Sequence, residues 1–161
     1  METHSVKLMV NIRVEPLGYM IIHGLPEMAY DAWMETGYGN EHPDEPYGPD
    51  WEMMQKKEQV NELRMIAMRE GEKLIGYIRL EIFIDDHNAS LLTATMRDIF
   101  VAKDKRGYAA SLVRYVEKLL PSLGIRRSMI GERVHTRNNA AQFYKAMGYE
   151  LREQVYGKTI H

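Results

Sequence analysis

Val6, Leu8, Val10, Ile12 and Val14 alternate with mostly polar neighbours, Met9 apart, which is the period-two pattern of a strand with one buried face. Pro26 suits the first turn of a short helix running to Trp33. Asp50 is placed to cap a second helix, Trp51 to about Val60, because its carboxylate can accept from the free N–H groups of a first turn. Leu63 to Arg69 and Leu74 to Ile84 read as two strands joined by the turn Glu70-Gly71-Glu72-Lys73. Asp85-Asp86-His87-Asn88 turns the chain again, into a strand from Leu92 to Val101. Beyond the basic, glycine-bearing turn Lys103 to Tyr108, a helix is predicted over Ala109 to Leu120, with Leu112, Val113, Val116 and Leu120 on one face. Pro121 and Gly124 end it. Ser128 to Val134 forms a weak strand, and Asn138 to Met147 a further amphipathic helix closed by Gly148. Tyr149 to Ile160 adds one or two last strands. A meander that enters a strand–helix–strand crossover predicts a mixed sheet with helices packed on it, an α/β (α+β) fold.

Composition narrows the function. A chain of 161 residues with 45% apolar and 27% charged residues reads as one globular domain spanning 1–161. Lys and Arg total 21 against 23 Asp and Glu, a net charge of -2, so nothing provides the positive surface that non-specific nucleic-acid binding needs. The absence of Cys excludes a disulfide framework, a Cys-based zinc site and a Cys nucleophile. His23, His42 and His87 show no ligand spacing with a carboxylate pair, so no metal is expected. The apolar-rich stretch Leu74 to Ile84 is interrupted by Arg79 and Glu81 and falls short of the ~20 residues of a membrane span, and Met1 to Glu15 lacks a signal-peptide core. A cytoplasmic protein without membrane partners is expected. Glu35 to Glu52 holds six acids, no Lys or Arg, three prolines and three glycines, and reads as a long loop.

The segment Asp98 to Val113 carries the chemistry. A buried strand enters a small-residue turn that opens a helix. Backbone N–H groups and the helix dipole can make such a turn an anion cradle, and Lys103, Lys105 and Arg106 add positive charge. A plain strand–helix connection with solvated lysines has the same pattern. The glycine spacing is neither that of a P-loop nor that of a dinucleotide fingerprint.

Here the chain resembles the GNAT superfamily of acyl-CoA-dependent N-acyltransferases, in particular members often encoded by bacteriophages and prophages, for which the cytoplasm would be the host's. The family's pyrophosphate signature is Gln/Arg-x-x-Gly-x-Gly/Ala. Asp104-Lys105-Arg106-Gly107-Tyr108-Ala109 fits its last two fixed positions and departs at the first, where Asp104 replaces Gln or Arg. Asn139 to Tyr149 matches the family's helix with a Tyr before a Gly-aromatic pair; Asp98 to Val101, His135 and Gly76-Tyr77 add to the likeness. The resemblance implies a mixed, mostly antiparallel sheet of about six to seven strands flanked by about four helices.

It also implies acetyl-CoA as co-substrate and an amine acceptor, a small molecule or a peptide, attacked directly in a ternary complex. The cofactor would lie against Ile99, Phe100 and Val101, with its pyrophosphate at Lys105, Arg106, Gly107, Tyr108, Ala109, Ala110 and Ser111, and with Asn139 nearby. Tyr144 would protonate the departing sulfur. Asp98, His135 and Glu81 are the candidate bases: Asp98 through water, His135 for its pKa of ~6.5, Glu81 with a cross-strand basic pair as its competing reading. Trp51, with Tyr38 and Tyr47, would face an apolar acceptor or an ammonium, and the acidic loop would attract a cation. The C-terminal strands offer a surface for a homodimer. Two other readings stay open: a non-catalytic acyl-CoA-binding module, favoured by Asp104, and a plain interaction protein.

Overall fold

The structure, a computed structural model, describes residues 8–37, 42–131, 140–153, 158 and 160. The elements are β1 Val10–Glu15, α1 Leu17–Ile22, α2 Leu25–Thr36, α3 Trp51–Gln59, β2 Leu63–Glu70, β3 Lys73–Asp85, β4 Asn88–Val101, a 3-10 turn Lys103–Tyr108, α4 Ala109–Leu119, a 3-10 turn Leu120–Leu123, β5 Arg127–Ile130 and α5 Ala140–Ala146. The sheet order is β1-β2-β3-β4-β5. β1 to β4 pair antiparallel, and β5 joins β4 in parallel through the α4 crossover.

β2 and β3 as far as Leu80 are buried at most positions because both of their faces are covered. On one face Leu63, Met65, Ala67, Leu74 and Tyr77 pack against Leu17 and Met20 of α1 and Leu25 of α2, with Trp51 and Met54 of α3 beside them. On the other, Ile66, Met68, Ile78, Leu80 and Met96 pack against Leu112, Val113 and Val116 of α4, joined by Phe143 of α5. Asp50 caps α3 as its position predicts, accepting from the Met53 N–H at 2.8 Å.

A buried ion pair pins the first strands to the helical layer. Arg69 donates from Nε and Nη2 to the two oxygens of Glu15, each at 2.8 Å, and from Nη1 to the carbonyls of His23 and Glu72. Glu15 and Arg69 are only 2% and 3% exposed. Every polar atom of a charge this deep needs a partner, and the guanidinium fork finds carbonyls as well as the carboxylate.

The structure corrects several expectations. Among the described residues the sheet has five strands, not six or seven, and 149–153 form no strand. Five α-helices flank it among the described residues, because α1 precedes the helix that Pro26 signals and Gly24, at φ 106°, turns the chain between the two. The first strand begins at Val10 among the described residues, and Glu15 rather than Val14 points into the core. β5 ends at Ile130; the rest of the expected strand, with His135, Asn139 and Tyr38, lies outside the described residues. No described helix is long and apolar enough to cross a membrane.

Candidate active site

β4 changes partners along its length, and that opens a cleft. Thr93 to Met96 pair with Arg127 to Ile130 of β5, and the Gly131 N–H reaches the Met96 carbonyl at 3.3 Å. From Arg97 to Val101 β4 pairs with β3 alone among the described residues. The β3 register steps from Arg79↔Asp98 to Leu80↔Met96, so Arg97 is an extra residue, a β-bulge. The Ala102 N–H donates to the Ile75 carbonyl of β3 at 2.8 Å. Strand alternation then turns the peptide groups of Phe100 and Asp98 toward β3, and those of Ile99 and Val101 toward the unpaired edge. Of the three residues expected to meet the cofactor by backbone, Phe100 therefore turns its peptide group to β3 and only lines the cleft.

Gly76 makes this approach of β4 possible. A Cβ there would lie 2.9 Å from Met68 Cε, 3.0 Å from the Phe100 carbonyl oxygen and 3.3 Å from Val101 Cγ2. Gly107 is glycine for a different reason. Its φ is not positive, and a Cβ would meet nothing within 4 Å. The protein's own packing does not require glycine here; a ligand approaching the backbone closely would. No side chain caps the turn at Lys103–Tyr108 or the start of α4 after it, and α4 has no acid in its first turn. This segment thus fits a pyrophosphate.

The charges expected to help it are already engaged. Lys105 Nζ lies 2.7 Å from Glu70 Oε2, and that hydrogen bond raises the lysine pKa. Arg106 bonds Glu35 of α2 across the cleft mouth. The sequence places Glu35 in the acidic loop that would attract a cation; the structure puts it in α2, facing Arg106, because nothing in the sequence says that α2 faces the cradle.

The cleft, about 830 Å3, runs from this cradle along the edge of β4 that no described strand pairs. Ile99, Phe100, Val101, Arg106, Ala109 and Tyr144 line it on the cofactor side, and Trp51, Tyr77, Arg79, Asp98 and Tyr47 on the other. Gly107, Tyr108 and Ser111 are exposed and Ala110 is half-buried. Within α5 Phe143 packs against the core and also lines the cleft, and its neighbour Tyr144 lines the cleft beside it.

Asp98 stands directly across from Arg79, with Oδ2 2.9 Å from Nε but off the line of that N–H, so the pair is an ionic contact rather than a directed hydrogen bond. Tyr77 is buried, and burial first, then the charge of Asp98, pushes its pKa far up; the phenol stays neutral. Tyr47 is raised by the same two causes. Its hydroxyl is buried without a hydrogen-bond partner. Glu81 is held by Arg97 at 3.2 Å and Lys57 at 3.8 Å and does not line the cleft, which is the cross-strand pairing that competed with a catalytic role. Among the described residues no group of His, Asp and Glu could hold a metal.

Comparison with known proteins supplies the context. Residues 25–149 match the acetyltransferase (GNAT) family. No curated protein matches the sequence. An aminoglycoside acetyltransferase from an uncultured soil metagenomic sample is similar in structure, with TM-score 0.65 and 16% identity over 94% of this chain and 95% of that one. A ribosomal-protein-alanine N-acetyltransferase from Brucella melitensis biovar Abortus 2308 has TM-score 0.68 and 14% identity over 94% and 100%. Glucosamine-6-phosphate N-acetyltransferase from Arabidopsis thaliana has TM-score 0.69 and 12% identity over 95% and 99%.

Proposed function

Because the chain belongs to the acetyltransferase (GNAT) family, we propose that it moves the acetyl group of acetyl-CoA to a primary amine by direct attack within one cleft. The observation that carries this reading is convergence: the edge of β4 that no described strand pairs, Arg106 and Ala109 of the cradle and Tyr144 all border the same cavity.

Acetyl-CoA, when bound, supplies an activated thioester. The N–H groups of Ile99 and Val101 donate to its pantetheine arm and acyl carbonyl, and Lys105, Arg106 and the backbone from Gly107 to Ser111 hold its pyrophosphate. To accept that group, Arg106 exchanges Glu35 for phosphate oxygens. On the opposite wall Asp98 attracts the ammonium and takes its proton through water, with Arg79 holding the carboxylate in place. The Arg79 contact makes Asp98 an orienting group first and a proton acceptor second. Trp51 and Phe100 keep the reacting centre dry. As the nitrogen–carbon bond forms and the carbon–sulfur bond breaks, the proton leaving nitrogen passes through water to Asp98, Tyr144 gives one to sulfur, and the tyrosinate regains its proton from solvent, leaving the amide and the free thiol. With no Cys in the chain, no thiol intermediate is involved. The work is that of a single domain in the cytoplasm.

A second reading, an acyl-CoA-binding module without turnover, is favoured by Asp104 where the family has Gln or Arg and by the engagement of Lys105 and Arg106 with carboxylates. One experiment separates the two. Thermal shift with acetyl-CoA is followed by thiol release over a panel of amines, with Tyr144→Phe beside wild type. The transferase reading expects acetyl-CoA binding in both proteins and a kcat lower by roughly 10²–10⁴-fold in the variant, the usual worth of a placed proton donor. Binding without thiol release from any amine supports the module. Equal kcat, with chemistry limiting, removes the role given to Tyr144.

A further inference from the structure

A second cavity of about 240 Å3 adjoins the cleft, between α2 and the acidic loop. Tyr30, Trp33 and Tyr47 line it, with Met34 and Glu45. Trp33 and Tyr47 also line the main cleft, so the two spaces share a wall. The ring of Tyr47 meets Tyr30 at 5.4 Å and 75°, and Trp33 at 5.7 Å and 49°. Three rings set at steep angles enclose a corner rather than a flat stack, and aromatic faces are negative. None of the lining residues is Lys, Arg or His. The loop that closes the cavity places Glu45 in its wall with Asp44 next to it in sequence, and no Lys or Arg occurs from Glu35 to Glu52, although Glu35 and Glu52 are themselves bonded to Arg106 and Lys56. The Tyr47 hydroxyl, buried and without a partner, is the one polar atom on the shared wall that no protein group satisfies among the described residues.

An apolar ligand would fill the rings and waste the charge; an anion would be repelled by it. A compact organic cation uses both, since cation–π attraction and the acidic field act in the same sense. We propose that this pocket binds the distal ammonium group of a diamine-type acceptor, whose reacting amine then lies in the main cleft on the Asp98 side. The word acceptor rests on the transferase reading; the binding of an ammonium does not. Tyr47 forms the threshold between the two spaces, its ring facing the distal ammonium and its oxygen able to accept from an ammonium N–H.

The test uses tetramethylammonium, which fits an aromatic corner and cannot be acetylated, and neopentyl alcohol as a neutral probe of similar shape. Trp33 fluorescence is read in a Trp51→Phe background, where it is the sole indole. Tetramethylammonium and putrescine are expected to give saturable changes and neopentyl alcohol none at equal concentration. Tyr30→Leu should weaken both cations by roughly tenfold, the scale of one cation–π contact. Tyr47→Phe, which keeps the ring and the fold, should leave tetramethylammonium within about twofold and weaken putrescine further, because only putrescine has N–H groups to offer the missing oxygen. In thiol release, kcat/KM for putrescine should exceed that for n-butylamine, and Tyr30→Leu should erase the difference. An equal response to the neutral probe, or cation binding untouched by Tyr30→Leu, overturns the pocket. Failure to bind acetyl-CoA would instead overturn the transferase reading and leave the fluorescence result standing.

Discussion

Two glycines next to cleft-lining residues should respond in opposite ways to the same added methyl group. Gly76→Ala puts a carbon 2.9 Å from Met68 Cε and 3.0 Å from the Phe100 carbonyl oxygen, against ordinary separations of about 3.3–4.0 Å. Met68 is fully buried, so its terminal methyl has no open space to retreat into. The Phe100 oxygen belongs to the sheet, so relieving it means moving β4 by a few tenths of an ångström. Overpacking of this kind costs about 1–3 kcal/mol, and replacing a strand glycine returns about 0.5–1 kcal/mol. At the middle of these ranges the net loss is about 1 kcal/mol, or a Tm lowered by roughly 2–4 °C in a chain of this size. Because the displaced segment is the one whose edge faces the cleft, acetyl-CoA affinity should fall with it. Gly107→Ala meets open space, so urea unfolding should show stability equal to wild type or better, while titration with acetyl-CoA shows a loss of at least roughly tenfold. Gly107→Val should lose more. A Gly76→Ala protein as stable as wild type would refute the packing argument. Full acetyl-CoA affinity in both Gly107 variants would refute the cradle.

Burial works to raise the pKa of Glu15, but hydrogen bonds from Arg69 and Arg13 outweigh it and hold the carboxyl below its ordinary value. Its stabilisation is therefore complete above the unfolded-state pKa of ~4.3 and is lost as pH falls through the lowered folded-state value. Glu15→Gln, which leaves Arg69 buried without its counter-charge, should cost about 3–5 kcal/mol in urea unfolding near pH 7, with the gap from wild type closing toward acid; a gap independent of pH would count against the pair. Arg106→Glu should abolish measurable acetyl-CoA binding by calorimetry, and Glu35→Gln, which releases Arg106, should strengthen it severalfold; no change in either removes Arg106 from the site. Asp98→Asn should lower kcat/KM for the amine by roughly tenfold or more without changing acetyl-CoA affinity, and a pH–rate profile identical to wild type would deny it a part in proton removal.

What the sequence revealed divides along a physical line. Local rules found α3 and its Asp50 cap, the β2–β3–β4 meander, and α4, whose apolar stripe is carried by residues three and four apart. These depend on neighbours in the chain. What escaped depends on register and on which element faces which. Arg79 meets Asp98 only because β3 and β4 pair with Arg79 opposite Asp98, and Glu35 meets Arg106 across 71 positions of sequence. The burial of Glu15 instead of Val14 follows from Arg69 on the adjacent strand, which a single-strand alternation cannot represent.

One of the missed features did leave a trace in the sequence, and it explains why Asp98 is available at all. In β4, Leu92, Ala94 and Met96 face the α4 side of the sheet, and so do Ile99 and Val101. The apolar alternation changes phase between Met96 and Ile99, across Arg97-Asp98. An unbroken strand would keep the first phase and turn Asp98 into the core beside Leu112 and Val116, where an unpaired carboxylate is prohibitive. The extra residue at Arg97 reverses the sense of everything after it: Ile99 and Val101 take the core positions, and Asp98 and Phe100 face the cleft wall with Tyr77 and Trp51. The bulge falls where β5 stops pairing, so the same step that re-aims the carboxylate also leaves the Ile99 and Val101 peptides without a partner strand among the described residues. A phase break in an alternating strand, placed one residue before an acid, is thus a mark by which both halves of this cleft can be read together.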